Sequence, residues 1–196
     1  MAAELRLMLK GGSGWWRIVA LGLIIAGAVN APDADRAVLT LAWIWPLLLW
    51  SPMGTREARH STDRLIFSSA HSLGRQLPAA WLAGVALAAI LGSGVALRWA
   101  LAGDWQAMAS LAAGACFIPS LALALGVLTG SSKAFEILYL TLWYLGPLNR
   151  TPDIDFLGAS PQAFAAGAPL RFLIATVVLF AVALLGRRRQ IYGYAY

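Results

Sequence analysis

Charge is what this sequence has least of. Asp, Glu, Lys and Arg make up 12% of its 196 residues, while hydrophobic types make up 60%. A soluble domain carries about 25% charged and 45–50% apolar residues. One water-soluble core cannot hide an apolar excess of this size, so the composition points to a membrane protein. Cysteine is reduced to Cys116, inside an apolar run, which excludes a disulfide framework and a thiolate metal site. Histidine is reduced to His60 and His71, both in one polar passage, so no histidine pair spans a bilayer to hold a haem. HExxH is missing, no Ser-His-acid pattern stands in a plausible setting, and GVLTGSSK lacks the GxxxxGK[ST] order. Helix-borne zinc chemistry, serine hydrolysis and P-loop ATP binding are therefore not written in this chain.

What is present is a series of apolar runs. A spanning helix needs about 20 such residues. Six candidates lie at 15–31, 37–55, 78–101, 105–129, 131–148 and 169–186, the second and fifth borrowing polar flanks to reach length. With no repeat and no low-complexity linker, the expectation is one all-α transmembrane domain over 1–196. If the N-terminus is cytoplasmic, eleven of the 15 Lys and Arg fall inside and four outside (Arg36, Arg98, Arg150, Arg171). This positive-inside asymmetry predicts that both termini are cytoplasmic. It also accounts for the net charge of +6 without nucleic acid. Thirteen arginines against two lysines fit a GC-rich bacterial genome, hence a bacterial inner membrane.

Residues 2–12 form an element of their own. Leu5, Met8 and Leu9 share one helical face, Arg6 and Lys10 another, and GGSG breaks the helix. This reads as an interfacial helix on the cytoplasmic leaflet, with a frayed terminus as the alternative. A rival reading takes the basic start and apolar middle of 1–31 as a signal peptide. The nine tryptophans mostly lie near span ends and are expected to form an interfacial belt. Pro46 and Pro119 lie inside spans and predict kinks. Gly84, Ala88 and Gly92 follow small-xxx-small spacing, open to packing within one chain or between copies. Glu136 is the ionisable group nearest membrane depth. It stands three residues after Lys133, which suits an i, i+3 pair, or a gating role.

The exception to apolarity is SPMGTREARHSTDRLIFSSAHSLGRQLPAAW, residues 51–81, with four arginines, both histidines, Glu57 and Asp63. Ser51-Pro52 and Ser61-Thr62-Asp63 are helix-start devices. Ile66, Ala70, Leu73 and Leu77 then recur at helical spacing. The passage is either a positive-inside loop or a short helix that offers a partner an apolar and a charged surface.

An N-terminal interfacial helix, two spans, this passage and four more spans resemble the ABC type-2 transporter permease family. That family joins its second and third spans by an RE…GT…E.L…P passage. Arg56-Glu57, Thr62-Asp63 and Leu65 match it, while Ser61 stands where glycine is frequent and SSAHS lacks the proline. The resemblance implies a six-helix permease subunit of an ABC exporter whose passage 54–77 holds a coupling helix docked on a cytoplasmic ABC ATPase. Arg56, Glu57, Arg59, His60, Thr62, Asp63, Arg64, Leu65 and Phe67 would make that contact. ATP and Mg would be bound by the ATPase, and this chain would carry no cofactor. A second permease copy, or a related permease, and membrane lipid are the other implied partners. The resemblance also places an outer hairpin at 149–168, where a plain loop is the alternative. Rival functions are a non-transporting membrane scaffold or assembly factor, and a membrane enzyme with an unrecognised site.

Overall fold

A computed structural model describes residues 2–10, 14–29, 35–56, 72–158, 160 and 162–193. Eight α-helices carry the described chain: α1 (Ala2–Lys10), α2 (Gly14–Val29), α3 (Asp35–Ile44), α4 (Leu47–Trp50), α5 (Ser72–Ala102), α6 (Trp105–Thr129), α7 (Ser132–Trp143) and α8 (Ala168–Gly193). A π-helical turn, Tyr144–Leu148, prolongs α7, and a single 3-10 turn lies at Pro152–Ile154. No strand occurs among the described residues.

Local chemistry sets the helix ends. Gly103 takes a positive φ of 71°, and Asp104 then caps α6 by accepting from the Ala107 N–H at 3.0 Å. At the other end of α6 Gly130 adopts φ 65°, and Ser131 caps α7 through the Lys133 N–H. Each device reverses the chain in two residues, which forces antiparallel packing of α5 on α6 and of α6 on α7.

Three helices are long and apolar enough to cross a membrane: Gln76–Ala102, Trp105–Thr129 and Ala168–Ile191. The pair α1–α2, bent by 105°, makes up to four. The other candidates are shorter than expected. Helix α2 has 16 residues, about 24 Å of rise against a core of about 30 Å. The run 37–55 is broken: α3 ends at Ile44, α4 is four residues long, and 51–55 is turn. Pro46 has no N–H to continue the ladder, so the predicted kink is a full interruption. The run 131–148 is helical only to Trp143 before it widens into the π turn. Two helices overrun their apolar runs. Helix α5 starts at Ser72, six residues before 78, and α8 continues through Arg187–Arg189 to Gly193.

Helix α6 is the hub. Of its apolar window 78% is buried, against 44% for α5 and 22% for α8. It packs chiefly on α8, α5 and α7, while α2 packs on α5. Pro119 leaves α6 one continuous helix, Trp105–Thr129. The glycines of α5 serve this packing. A Cβ on Gly84 would lie 2.8 Å from Pro119, and one on Gly94 would lie 2.0 Å from the Ile24 carbonyl of α2. The small-residue stripe therefore makes helix contacts inside the chain.

The tryptophans divide. Trp15 and Trp105 are exposed, as a belt requires, but Trp43 and Trp50 are fully buried. They form an aromatic core with Phe135, Tyr139 and Phe156. Two α7 side chains also tie down the interrupted segment. The Tyr139 hydroxyl donates to the Trp43 carbonyl at 2.5 Å, and Trp143 Nε1 donates to the Thr40 carbonyl at 2.9 Å. The first of these acceptors sits at the break itself, where backbone groups in a bilayer need partners.

Candidate functional site

The passage 54–77 leaves the bundle at the 51–56 turn and returns on α5. Of its candidate residues Arg56 is described. Glu57, Arg59, His60, Thr62, Asp63, Arg64, Leu65 and Phe67 lie outside the described residues. The described part is the base that holds the passage.

That base is built on two glycines. Gly54 has φ 80°, and a Cβ there would lie 2.8 Å from the Leu123 carbonyl of α6. Across the contact, a Cβ on Gly126 would lie 2.2 Å from the Met53 carbonyl. Neither side tolerates a side chain, so turn backbone lies directly against helix backbone. Ser51, Met53 and Thr55 are buried as a result. Thr55 Oγ1 donates back to the Pro52 carbonyl at 3.2 Å and stiffens the turn.

Helix α8 clamps this turn from the side. Arg187 is only 6% exposed. Its Nη2 donates to the Gly54 carbonyl at 3.4 Å and its Nη1 to Gln190 Oε1 at 3.3 Å. Gln190 Nε2 in turn donates to the Val127 carbonyl at 2.8 Å. A buried guanidinium is tolerable only when its donors are engaged in this way. Arg56 faces α1, with Nη1 3.7 Å from Glu4 Oε2. Both side chains are about one-quarter exposed, so this pair is worth at most about 1 kcal/mol. A cavity of about 20 Å³, room for one water, lies among Glu4, Met8, Gly54, Arg56, Leu77 and Arg187.

The second candidate pair meets the other end of the same turn. Lys133 Nζ lies 2.9 Å from Glu136 Oε2, at i, i+3 on α7. The ammonium is exposed, while the carboxylate is mostly covered and is also bordered by the Ser132 and Ser51 hydroxyls. Arg56 and Glu136, separate in the sequence, thus sit at opposite ends of one turn held by α1, α6, α7 and α8. Among the described residues no group of three His, Cys, Asp or Glu could hold a metal ion. The turn is thus in contact with four helices at once.

Sequence reasoning missed Glu4, Arg187 and Gln190. Arg187 was indistinguishable from Arg188 and Arg189 as a positive-inside charge. A signal did exist: Phe172, Thr176, Ala183 and Arg187 are all buried and recur at i, i+4, i+11, i+15, one stripe of α8 carried past the end of the apolar run.

At the far end of α6, 149–168 contains no helical hairpin among its described residues. It consists of the 3-10 turn, the stretch Asp155–Gly158 and turns over 162–167. Phe156 and Leu157 enter the core, 1% and 0% exposed, while Phe164 stays outside. Gly114 and Gly146 make room for them, since a Cβ on either would lie 2.2 Å from a carbonyl of this segment. The buried Asp155 carboxylate accepts from the Leu157 and Ser160 N–H groups and holds the loop in this shape. Arg171 Nη2 pairs with Asp153 at 2.9 Å on the surface.

No protein-family model, curated protein or solved structure matches the chain.

Proposed function

We propose that this chain is the transmembrane permease subunit of an ATP-driven ABC exporter, with ATP and Mg bound by a separate cytoplasmic ATPase. The observation that carries the reading is the polar passage of ABC type-2 permease pattern, rooted in a turn clamped by Arg187 and closed by Arg56–Glu4. A docked partner needs a rigid lever. A turn whose glycine backbone is locked on α6 supplies one, where a loop needed only for its charge would not require it. In this mechanism ATP-driven closure of two ATPase subunits pushes on 57–71. The 51–56 turn passes the displacement to α1, α6, α7 and α8, and the pathway between two permease copies changes its access. Both termini are cytoplasmic in this arrangement, and Glu136 beside Ser51 is placed to feel the movement.

The test co-expresses the chain with a candidate ABC ATPase of its host and reads pull-down and transport-coupled hydrolysis in the same membranes. Phe67→Ala and Glu57→Arg are expected to leave abundance near normal and to weaken capture or coupling, because truncating a buried interface anchor costs about 2 kcal/mol or more. Unchanged coupling in both variants refutes the proposal and leaves the passage a topological loop.

A further inference from the structure

A dry groove opens on the outside of the bundle between α5 and α8. Pro78, Trp81 and Leu82 form one wall, and Val177, Phe180 and Leu184 the other, around about 450 Å³. No polar atom is exposed in it. The reason is chemical, because the two lining residues able to donate are engaged elsewhere. Trp81 Nε1 donates to Ser120 Oγ at 2.8 Å and to the Cys116 carbonyl at 3.3 Å. The Thr176 hydroxyl donates to the Phe172 carbonyl at 2.7 Å. The Trp81 ring, tilted against Phe180 at 5.5 Å, is left to present carbon. Water gains nothing here, and hydrocarbon does.

The groove ends at a charge. On α8 Val177, Ala181, Leu184 and Arg188 recur at i, i+4, i+7, i+11, so exposed Arg188 lies on the groove's own face one turn beyond its last apolar residue. From Val177 to Arg188 the helix rises about 16 Å at ~1.5 Å per residue. One leaflet of a hydrocarbon core about 30 Å thick spans about 15 Å. The groove therefore runs from the midplane to the headgroup level of the leaflet at the C-terminal end of α8. The positive-inside count makes that the cytoplasmic leaflet, which carries anionic lipid.

We propose that the α5–α8 groove is a binding site for one anionic phospholipid, its acyl chain lying on Trp81 and Phe180 and its phosphate at Arg188. A second copy fits less well. Symmetric pairing on this face would bring the Arg187–Arg189 runs of two chains together, like charge on like charge. The site does not depend on transport activity.

The experiment is native mass spectrometry of the purified full chain in mild detergent, titrated with phosphatidylglycerol or phosphatidylcholine of matched chains. Melting curves serve as the fold control. The chain is expected to retain one phosphatidylglycerol, preferred about fivefold, the ratio one surface arginine supplies. Arg188→Gln should level the preference and keep one bound lipid. Ala181→Trp, which fills the groove, should lose the lipid of either kind. If Ala181→Trp melts abnormally, Val177→Trp takes its place. Equal retention of the two lipids by the unaltered chain overturns the proposal. So does undiminished retention in a well-folded filled-groove variant. Dimers that the filling abolishes in lipid-free samples would assign the groove to a second copy instead.

Discussion

Tyr139→Phe is the most economical probe of how the broken α3–α4 segment is held. The substitution removes one oxygen and leaves the ring against Phe135, Trp50 and Phe156. What is lost is the bond to the Trp43 carbonyl at 2.5 Å. Tyr139 is fully buried, so no water replaces it. A typical intramolecular hydrogen bond is worth about 0.5–1.5 kcal/mol net, and an acceptor left unsatisfied in a buried site costs about 1–3 kcal/mol. The carbonyl is buried at the edge of the Pro46 interruption, so the cost of an unsatisfied acceptor applies. The expected loss is therefore about 1–3 kcal/mol, read by thermal unfolding in detergent. Tyr144→Phe, at an exposed ring on the same helix extension, is the control and should be silent. A Tyr139→Phe protein within about 0.3 kcal/mol of the parent would show that the break is satisfied without α7, and would refute the reasoning.

Trp50→Phe should destabilise more than Trp43→Phe by about 1 kcal/mol in the same assay. Trp50 Nε1 donates to the Gly84 carbonyl, while Trp43 Nε1 is the one buried side-chain polar atom without a partner among the described residues. Gly126→Ala, which drives a Cβ into the Met53 carbonyl, should dislodge the 51–56 turn and cost about 1–3 kcal/mol or more, seen as faster proteolysis of the passage. Arg187→Met should loosen the same turn by about 1–3 kcal/mol without disturbing the α5–α8 groove, read by melting and by lipid retention in parallel. On a Cys116→Ala background, Asp153→Cys and Arg189→Cys should label from opposite faces of sealed vesicles. Labelling from the same face would overturn the topology.

Much of the helical layout was legible because apolar runs and capping residues are local signals. The run 105–129 coincides with α6, since Asp104 and Gly130 mark its ends by side-chain and backbone chemistry alone. The overrun of α8 was not legible from hydropathy. Arg187 is charged, yet it continues a buried stripe, and the Gly54 carbonyl and the Gln190 side chain, itself anchored on the Val127 carbonyl of α6, explain why a guanidinium belongs there. The candidate site was half readable. The Lys133–Glu136 spacing foretold its pair, because an i, i+3 contact is contained within one helix turn. That Glu136 and Arg56 serve the same turn depends on how α7 packs, and no spacing in the sequence records it.

The misplaced tryptophans show why burial is hard to read in such a chain. A soluble helix separates its faces by polarity, but here lipid-facing and core-facing positions are both apolar, so the periodic signal that reveals a core in water is erased. Two other marks survive. One is glycine, which lets backbones touch: Gly27 against Val95, Gly94 against Ile24, Gly114 against Phe156, Gly126 against Met53. The other is an aromatic residue carrying a single donor, which at depth ends on a backbone carbonyl of a neighbouring element. Tyr139 and Trp143 follow Pro46 by about a hundred residues in sequence, yet their donors end on carbonyls of the helix it interrupts. In a chain this poor in charge, a proline inside an apolar run and the Trp and Tyr of a neighbouring run are therefore better read together, as a break and its repair, than apart as a kink and a belt.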